Sequence, residues 1–216
     1  MIDLHTHTLF SDGELLPMEL ARRAKVKGYT ILGISDHVDM TNIEHVASSI
    51  LKIKKYAELH AGIIIVPGCE LTHCPAKKIG ELTVLARKLG FAYVVVHGET
   101  IAEPVEEGTN AAAIEAGVDI LAHPGLITEK EVENARERGI LLEISARKGH
   151  SLTNGHVASL ARATGAKLVL NTDTHSPSDL ITDKEGLSIV RGAGLTIDDF
   201  TEMQKNAQEL VRKITG

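Results

Sequence analysis

Short apolar runs alternate along this chain with longer segments in which apolar residues recur at helical spacing. The runs predict seven strands, at Ile2–His5, Ile31–Ser35, Ile63–Gly68, Ala92–His97, Val118–Ala122, Ile140–Ile144 and Lys167–Thr172. The amphipathic segments predict seven helices, at Pro17–Lys27, Asn42–Leu59, Ala76–Leu89, Asn110–Ala116, Glu129–Arg138, Gly155–Thr164 and Ile197–Ile214. The chain therefore alternates strand and helix from end to end.

The spacing of the predicted strands points to a parallel architecture. Their starts recur every 22 to 32 residues, which is the length of one strand–loop–helix–loop unit. Such repetition implies parallel strands joined by right-handed crossovers. Seven units predict an α/β fold, a distorted seven-stranded (β/α)7 TIM-like barrel, with residues 1–216 as one domain. A doubly wound open sheet is the alternative, although no glycine-rich phosphate motif follows the first strand.

Composition indicates the cellular compartment and excludes some classes of binding partner. The formal charge of −6 argues against a protein that binds a phosphate backbone through a basic stripe. Cys69 and Cys74 do not form a CxxC motif and are interpreted as packing residues in a reducing, cytoplasmic setting. No apolar stretch reaches the roughly 20 residues of a membrane span, and a candidate ligand at His5 leaves no room for a signal peptide. Membrane association and nucleic-acid partners are not expected.

Side chains of the kind that bind metals follow the predicted strands. The carboxyl ends of parallel strands meet at one rim of a β/α barrel, so these side chains should converge there. The candidates are His5, His7, His37, Glu70, His97, His123, Asp173 and His175, with Asp12 in the loop after the first pair. Mixed imidazole and carboxylate ligands suit Zn²⁺, Mn²⁺ or Fe²⁺ better than Mg²⁺ or Ca²⁺. The pattern predicts a metal centre at this rim.

The order of these motifs carries a family resemblance. The chain contains His-x-His, Ser-Asp-Gly, Ser-Asp-His, Gly-x-Glu, His, Ala-His-Pro-Gly and Asp-x-His in that order, from residue 3 to about residue 176. This ordered set resembles the PHP (polymerase and histidinol phosphatase) superfamily, and histidinol-phosphatase-type members in particular. The resemblance implies a distorted seven-stranded barrel that holds two to three divalent ions. Asp12 stands where other members carry histidine.

The resemblance also implies how the ligands are divided. The first ion would bind His5, His7, Glu70 and Asp173; the second Glu70, His97 and His123; the third Asp12, His37 and His175. Three of these residues are expected to be catalytic as well: Glu70, Asp173 and His175. A bridging carboxylate can hold two ions about 3.5–4 Å apart, the spacing used for in-line phosphoryl displacement.

One predicted strand, Ile140–Ile144, delivers no ligand and leads instead into a basic loop. Arg147 in that loop is a candidate phosphate clamp, because its planar guanidinium can bind two oxygens at once. Lys148 and His150 are further candidates for substrate contact, as is His73 after the third strand. The alternative interpretation is a solvated basic loop.

The predicted activity is hydrolysis of a small phosphate monoester, similar to histidinol phosphate, by metal-bound hydroxide. A phosphodiesterase or exonuclease acting on nucleotides is the alternative, and a non-catalytic, RNA-associated barrel is a third reading that the full ligand set disfavours. An amidohydrolase on a related barrel would supply a ligating lysine at a strand end, and none stands there. The acidic loop Glu99–Glu107 is interpreted as solvated, or else as a contact for an amine-bearing substrate.

Overall fold

The computed structural model describes residues 1–53, 56 and 62–216. Its strands are β1 (Ile2–Asp3), β2 (Ile31–Ile34), β3 (His37–Val38), β4 (Ile64–Leu71), β5 (Tyr93–His97), β6 (Ile120–Ala122), β7 (Leu141–Ser145) and β8 (Leu168–Asn171). Its helices are α1 (Pro17–Val26), α2 (Ile43–Ile50), α3 (Ile79–Leu89), α4 (Thr109–Ala116), α5 (Glu129–Arg138), α6 (Asn154–Thr164), α7 (Asp183–Gly192) and α8 (Ile197–Thr215). Short 3₁₀ helices occupy Ala76–Lys78 and His150–Thr153.

The strands form the predicted parallel barrel. Neighbours run in the order β1-β2-β4-β5-β6-β7-β8, and every pairing is parallel. β3 also pairs with β4, so β2 and β3 are one strand position interrupted at Ser35 and Asp36. A parallel bridge between Thr6 and Thr174 brings the first and last strands together. Seven strand positions in a nearly closed barrel confirm the predicted fold class.

Two predicted boundaries are corrected, and the register of the sheet explains the first of them. The third predicted strand was expected to end at Gly68, but β4 continues to Leu71 because β3 extends the sheet beside it. His37 pairs with Glu70 in this extension, so both side chains lie within strands rather than after them. The second predicted helix, Asn42–Leu59, is present as α2 only as far as Ile50; residues 54, 55 and 57–59 of that prediction lie outside the described residues.

Helix α7 was not predicted. Thr182 caps it in a reciprocal capping box with Glu185, which fixes its first turn. Gly186 lies inside the helix, and a Cβ there would approach Leu170 to 3.0 Å and Phe200 to 3.2 Å. Gly186 thus lets the helix pack closely on the barrel and on α8.

The barrel interior is apolar at its amino end. Its core comprises Ile2, Leu4, Ile31, Val66, Tyr93, Val95, Ile120, Ala122, Leu141 and Val169, with Ala207, Leu210 and Val211 of α8 packed against them. The Tyr93 side chain lies against Gly33 and Gly68, where an added Cβ would come within 2.2 Å of its hydroxyl oxygen and 2.3 Å of its ring, respectively. The hydroxyl donates to the carbonyl of Leu4 at 2.9 Å. Two glycines therefore make room for an aromatic floor across the barrel.

A second apolar layer separates the barrel from its helices, and both cysteines are buried in it as free thiols, which agrees with their interpretation as packing residues. None of the helices in the described part of the chain is both long and apolar enough to cross a membrane.

Candidate metal centre

Strand periodicity places polar side chains at the last inward positions of the barrel. Successive strand residues point to opposite faces, so Tyr93, Val95 and His97 of β5 share the interior face. Tyr93 and Val95 belong to the apolar interior, while His97 continues the same column into the carboxyl-end rim. Leu141 and Glu143 of β7 repeat this arrangement. The polar layer thus lies directly above the apolar one.

The first predicted ligand group is assembled and fully buried. His5 Nε2 lies 3.3 Å from Glu70 Oε1 and 3.6 Å from Asp173 Oδ1. His7 Nε2 lies 3.1 Å from Asp173 Oδ1 and 3.7 Å from Glu70 Oε2. Ligand atoms of a four-coordinate ion with bonds of 2.0–2.2 Å are about 3.4 Å apart. Each of the four separations lies within about 0.3 Å of that value, with His5 and His7 facing different oxygens of Glu70.

The third predicted group has the same spacing but lies nearer to solvent. Asp12 Oδ1 is 3.5 Å from His37 Nε2 and 3.2 Å from His175 Nε2, and those two nitrogens are 3.4 Å apart. Asp12 has 59% of its side chain exposed, in contrast to the buried first group. His37 Nδ1 lies 2.6 Å from Glu70 Oε2, so Glu70 also orients a side chain of this group.

The second predicted group is rich in imidazole. His123 Nε2 lies 3.7 Å from Glu70 Oε1, and the rings of His97 and His123 meet edge to face at 4.4 Å. His97 Nε2 faces a carboxylate that was not predicted, Glu103 Oε2, at 3.2 Å. Glu70 therefore touches members of all three groups, as expected of a shared carboxylate.

Several buried polar atoms in these groups have no hydrogen-bond partner among the described residues. They include His5 Nε2, both ring nitrogens of His7 and His123, Glu70 Oε1, His97 Nδ1 and Asp173 Oδ1. Leaving one such atom unsatisfied costs about 1–3 kcal/mol, so native proteins rarely concentrate them in one place. Divalent ions would satisfy the nitrogens and oxygens together, and the donor set fits Zn²⁺, Mn²⁺ or Fe²⁺.

The pKa values of the candidate ligands depend on burial and on the neighbouring carboxylates and imidazoles. Burial holds the pKa of His7 and His123 well below the ordinary value, so both rings are neutral and able to ligate. Burial alone would lower the pKa of His5 too, but three carboxylates outweigh it and raise that pKa: Glu143, Glu70 and Asp173. Burial raises the pKa of Asp173 to about 7 despite the nearby His5. The metal-free centre therefore holds protons that ions would displace.

The backbone at two candidate ligands is held in a conformation that non-glycine residues rarely adopt. His123 has φ of 27° and Asp173 has φ of 52°. Such positions cost of order 1–3 kcal/mol each and persist where the surroundings impose them, commonly at functional sites. His123 directly follows β6 and Asp173 lies two residues after the end of β8, and both side chains are buried at the rim of the barrel.

The predicted substrate contacts differ in placement. A cavity of about 180 Å³ opens beside the three groups, lined by Asp12, His37, Thr72, His73, His97, Glu103, Arg147, His150, Asp173 and His175. Arg147 Nη1 donates to the carbonyl of Asp173 at 3.0 Å and lies 2.6 Å from His175 Nδ1. Lys148 is exposed in the turn after β7 and is not among the described residues that line the cavity.

Two carboxylates at the centre were missed by the sequence analysis. Glu143 on β7, the strand expected to deliver nothing, lies with Oε2 2.7 Å from His5 Nδ1, which orients that ring. A single charged residue inside the apolar run Ile140–Ile144 was the available signal. Glu103 comes from the acidic loop that was interpreted as solvated or as a contact for an amine-bearing substrate, and it faces three imidazoles: His73, His97 and His150. No sequence pattern marks which acid of that loop turns inward.

Relatives of known sequence match the whole chain. An uncharacterized protein of Methanocaldococcus jannaschii is 50% identical, over 98% of this chain and 99% of its own length. A protein of Thermoanaerobacter sp. named as a probable phosphatase is 28% identical over 100% of this chain and 98% of its own.

The fold is found again in an archaeal ribonuclease P structure with mature tRNA. One of its chains superposes with a TM-score of 0.71 at 12% identity, covering 96% of this chain and 89% of that one. At this identity the likeness concerns the fold.

Residues 3–150, which include seven of the nine predicted ligands, match the PHP domain. The chain belongs to the PHP domain family.

Proposed function

We propose that this protein is a metal-dependent phosphoesterase that hydrolyses a small phosphate monoester. The observation that carries the proposal is the set of three ligand groups at one rim, with Glu70 in contact with all of them. The family and the relative named as a probable phosphatase support the same reaction class.

The residues that would hold the ions are the nine predicted ligands. The first group is His5, His7, Glu70 and Asp173; the second Glu70, His97 and His123; the third Asp12, His37 and His175. When bound, divalent ions lower the pKa of a bound water and neutralise phosphate oxygens in the transition state. The chain itself keeps the rings of His7 and His123 neutral, excludes bulk water from the first group and fixes the ring of His5 through Glu143.

Arg147 would hold the phosphate at the cavity. Its guanidinium is fixed by the carbonyl of Asp173 and lies beside His175, with 30% of the side chain still exposed. A cation held in this way is positioned to bind phosphate oxygens next to the third group. The Glu103 carboxylate on the far side would repel a second phosphate and favour a leaving group that carries a cation, as an amine-bearing alcohol does.

The size of the cavity favours a small substrate. Sites for drug-sized ligands span about 300–1,000 Å³, and this cavity measures about 180 Å³. It accommodates a phosphate group and a few further atoms, while a larger leaving group would extend into solvent. The scarcity of aromatic residues, with three Phe, three Tyr and no Trp, offers little for stacking on nucleic-acid bases.

Metal analysis joined to a substrate screen tests the proposal. The purified protein should contain bound divalent metal, lose activity with a chelator, and regain activity with Zn²⁺, Mn²⁺ or Fe²⁺. The panel should contain histidinol phosphate, sugar phosphates, nucleotides, a phosphodiester and single-stranded RNA, with monoesters turned over fastest. His45→Ala, which removes an exposed imidazole on α2, is the matched control. Absence of both metal and metal-restored hydrolysis would overturn the proposal, and faster cleavage of diesters or RNA would overturn the monoester assignment.

A further inference from the structure

His150 is a buried imidazole that none of the three ligand groups includes. It begins the short 3₁₀ helix after β7 and follows Gly149, whose φ of 96° turns the chain back toward the barrel. Only 4% of the residue is exposed, although its neighbour Lys148 points into solvent. The loop after β7 therefore sends one basic side chain outward and one inward.

The inward ring is held in a fixed orientation. Its Nδ1 lies 2.8 Å from the hydroxyl of Thr100, which comes from the loop after β5 and is itself buried. With Nδ1 engaged in this way, Nε2 is the atom that faces the centre, at 3.7 Å from Asp173 Oδ2 and 3.5 Å from Glu103 Oε1. Imidazoles that bind metals are commonly oriented by a partner on the other ring nitrogen, and Thr100 occupies that position here.

The ring also packs among candidate ligands at the same spacing as they keep from one another. His150 and His123 are stacked with centroids 4.1 Å apart, close to the 4.4 Å between His97 and His123. One ligand atom from each of these three rings lies within 4.8 Å of the other two. His123 has no hydrogen-bond partner among the described residues on either ring nitrogen, so a buried, unsatisfied imidazole lies at the middle of the cluster.

We propose that His150 is a tenth metal ligand, which joins His97, His123 and Glu70 around the second ion. The inference rests on the proposed function, since it presupposes that this ion binds. The resulting set of three imidazoles and one carboxylate would fill four positions around a divalent ion of the zinc, manganese or iron type. Thr100 is then a positioning residue, because it holds the ring of His150 without touching the ion.

The alternative role for His150 is contact with the substrate, and the two roles differ in a measurable way. A ligand changes metal affinity in the absence of any substrate, whereas a substrate contact changes KM and leaves metal affinity intact. Cobalt is a suitable probe, because its visible absorption reports the number and type of ligands around the ion.

The experiment is a titration of the metal-free full-length protein with Co²⁺ alone, followed by absorption and by metal content after desalting. The wild type should bind two to three ions. His150→Ala should weaken one binding step by more than about tenfold and change the absorption of that ion, since loss of groups one shell further out already costs about 10–100-fold. Thr100→Val should weaken the same step by less, and His45→Ala should match the wild type.

Each other outcome has a definite meaning. His150→Ala with unchanged cobalt affinity and spectrum, in a wild type that loads ions normally, overturns this inference and leaves the proposed function intact. A raised KM for phosphate monoesters with unchanged cobalt binding does the same, and assigns His150 to the substrate. A wild type that binds no cobalt overturns the proposed function and this inference with it. If His150→Ala does not fold, His150→Gln and Thr100→Val provide the same comparison.

Discussion

The two ends of the barrel interior are equally buried and chemically opposite. At the amino end, Leu210 and Val211 of α8 belong to the same buried apolar cluster as Ile2 and Leu141. At the carboxyl end, carboxylates and imidazoles are buried with several polar atoms unsatisfied. Burial stabilises the first end through the hydrophobic effect and is costly at the second. The fold is held together at one end and leaves the other free for chemistry, as β/α barrels generally do.

The largest expected effect comes from removing the shared carboxylate. Glu70→Gln keeps the shape of the side chain but removes a charge that belongs to the first and second ligand groups and contacts the third through His37. Activity should therefore fall by about 10³-fold, corresponding to several kcal/mol of lost charge stabilisation. Added metal should also raise the melting temperature of the variant less than that of the wild type, because weaker binding stabilises less. Kinetics and thermal melts with and without metal check this. Glu115→Gln, on the exposed face of α4, is the control; equal metal stabilisation in both variants would contradict the role of Glu70.

A smaller effect is expected at Glu143, which touches the centre only through His5. Glu143→Gln removes the charge that orients Nδ1 of that ring at 2.7 Å. Loss of such a partner typically lowers metal affinity or activity by about 10–100-fold. Competition with a chromogenic chelator would measure the affinity for metal. A wild-type affinity in the variant would show that Glu143 does not support metal binding.

Arg147 should affect the substrate more than the metal. Arg147→Ala removes charged hydrogen bonds worth about 1.5–3 kcal/mol, so kcat/KM should fall by about 10–100-fold. The loss should come mainly through KM if the guanidinium binds phosphate in the ground state as well as the transition state. Metal content measured on the same samples separates a loss of phosphate binding from damage to Asp173 and His175. Unchanged kinetics would contradict the role of Arg147 as a phosphate clamp.

The affinity for metal at the carboxyl end of the barrel should depend on pH. In the metal-free protein the pKa of Asp173 is raised to about 7 and the pKa of His5 is raised well above its ordinary value. A raised pKa means that the metal-free centre binds protons as pH falls, and ions must displace them. Metal affinity should therefore decrease by about tenfold or more from pH 8 to pH 6. Calorimetric titrations in buffers of different ionisation enthalpy would detect the released protons, and pH-independent affinity would contradict the assignment of these ligands.

The smallest effect on activity is expected at the amino end. Leu210→Ala should lower the free energy of unfolding by about 2–5 kcal/mol while the kcat and KM of the folded protein stay unchanged. Ile197→Ala, at an exposed position of the same helix, should cost little stability. Denaturant unfolding and kinetics on the same samples test this, and a lost activity in the folded variant would show that the two ends are coupled.

The sequence predicted what depends on local pattern. Strand positions and the convergence of His5, His97 and Glu70 followed from short apolar runs that end in polar residues. Contributions made across the barrel could not be predicted in this way. Glu143 acts through a residue 138 positions away, and its inward orientation depends on the register of β7.

Two further features depended on contacts that only the folded chain makes. Helix α7 has a capping box at Thr182 and Glu185 that the sequence does contain, whereas the close packing of Gly186 on Leu170 and Phe200 exists only in the folded chain. Glu103 turns inward because three imidazoles face it, which the composition of its acidic loop does not reveal.

The aromatic floor formed by Tyr93 has a kinetic consequence. Its ring packs against Gly33 and Gly68 within the buried apolar layer beneath the polar rim, so it leaves no space for passage beside those glycines. The cavity beside the ligand groups lies at the rim, and ions, water, substrate and product are expected to exchange there. A bound phosphate would then cover the ions, and these ions should exchange with solvent more slowly than in the protein without product.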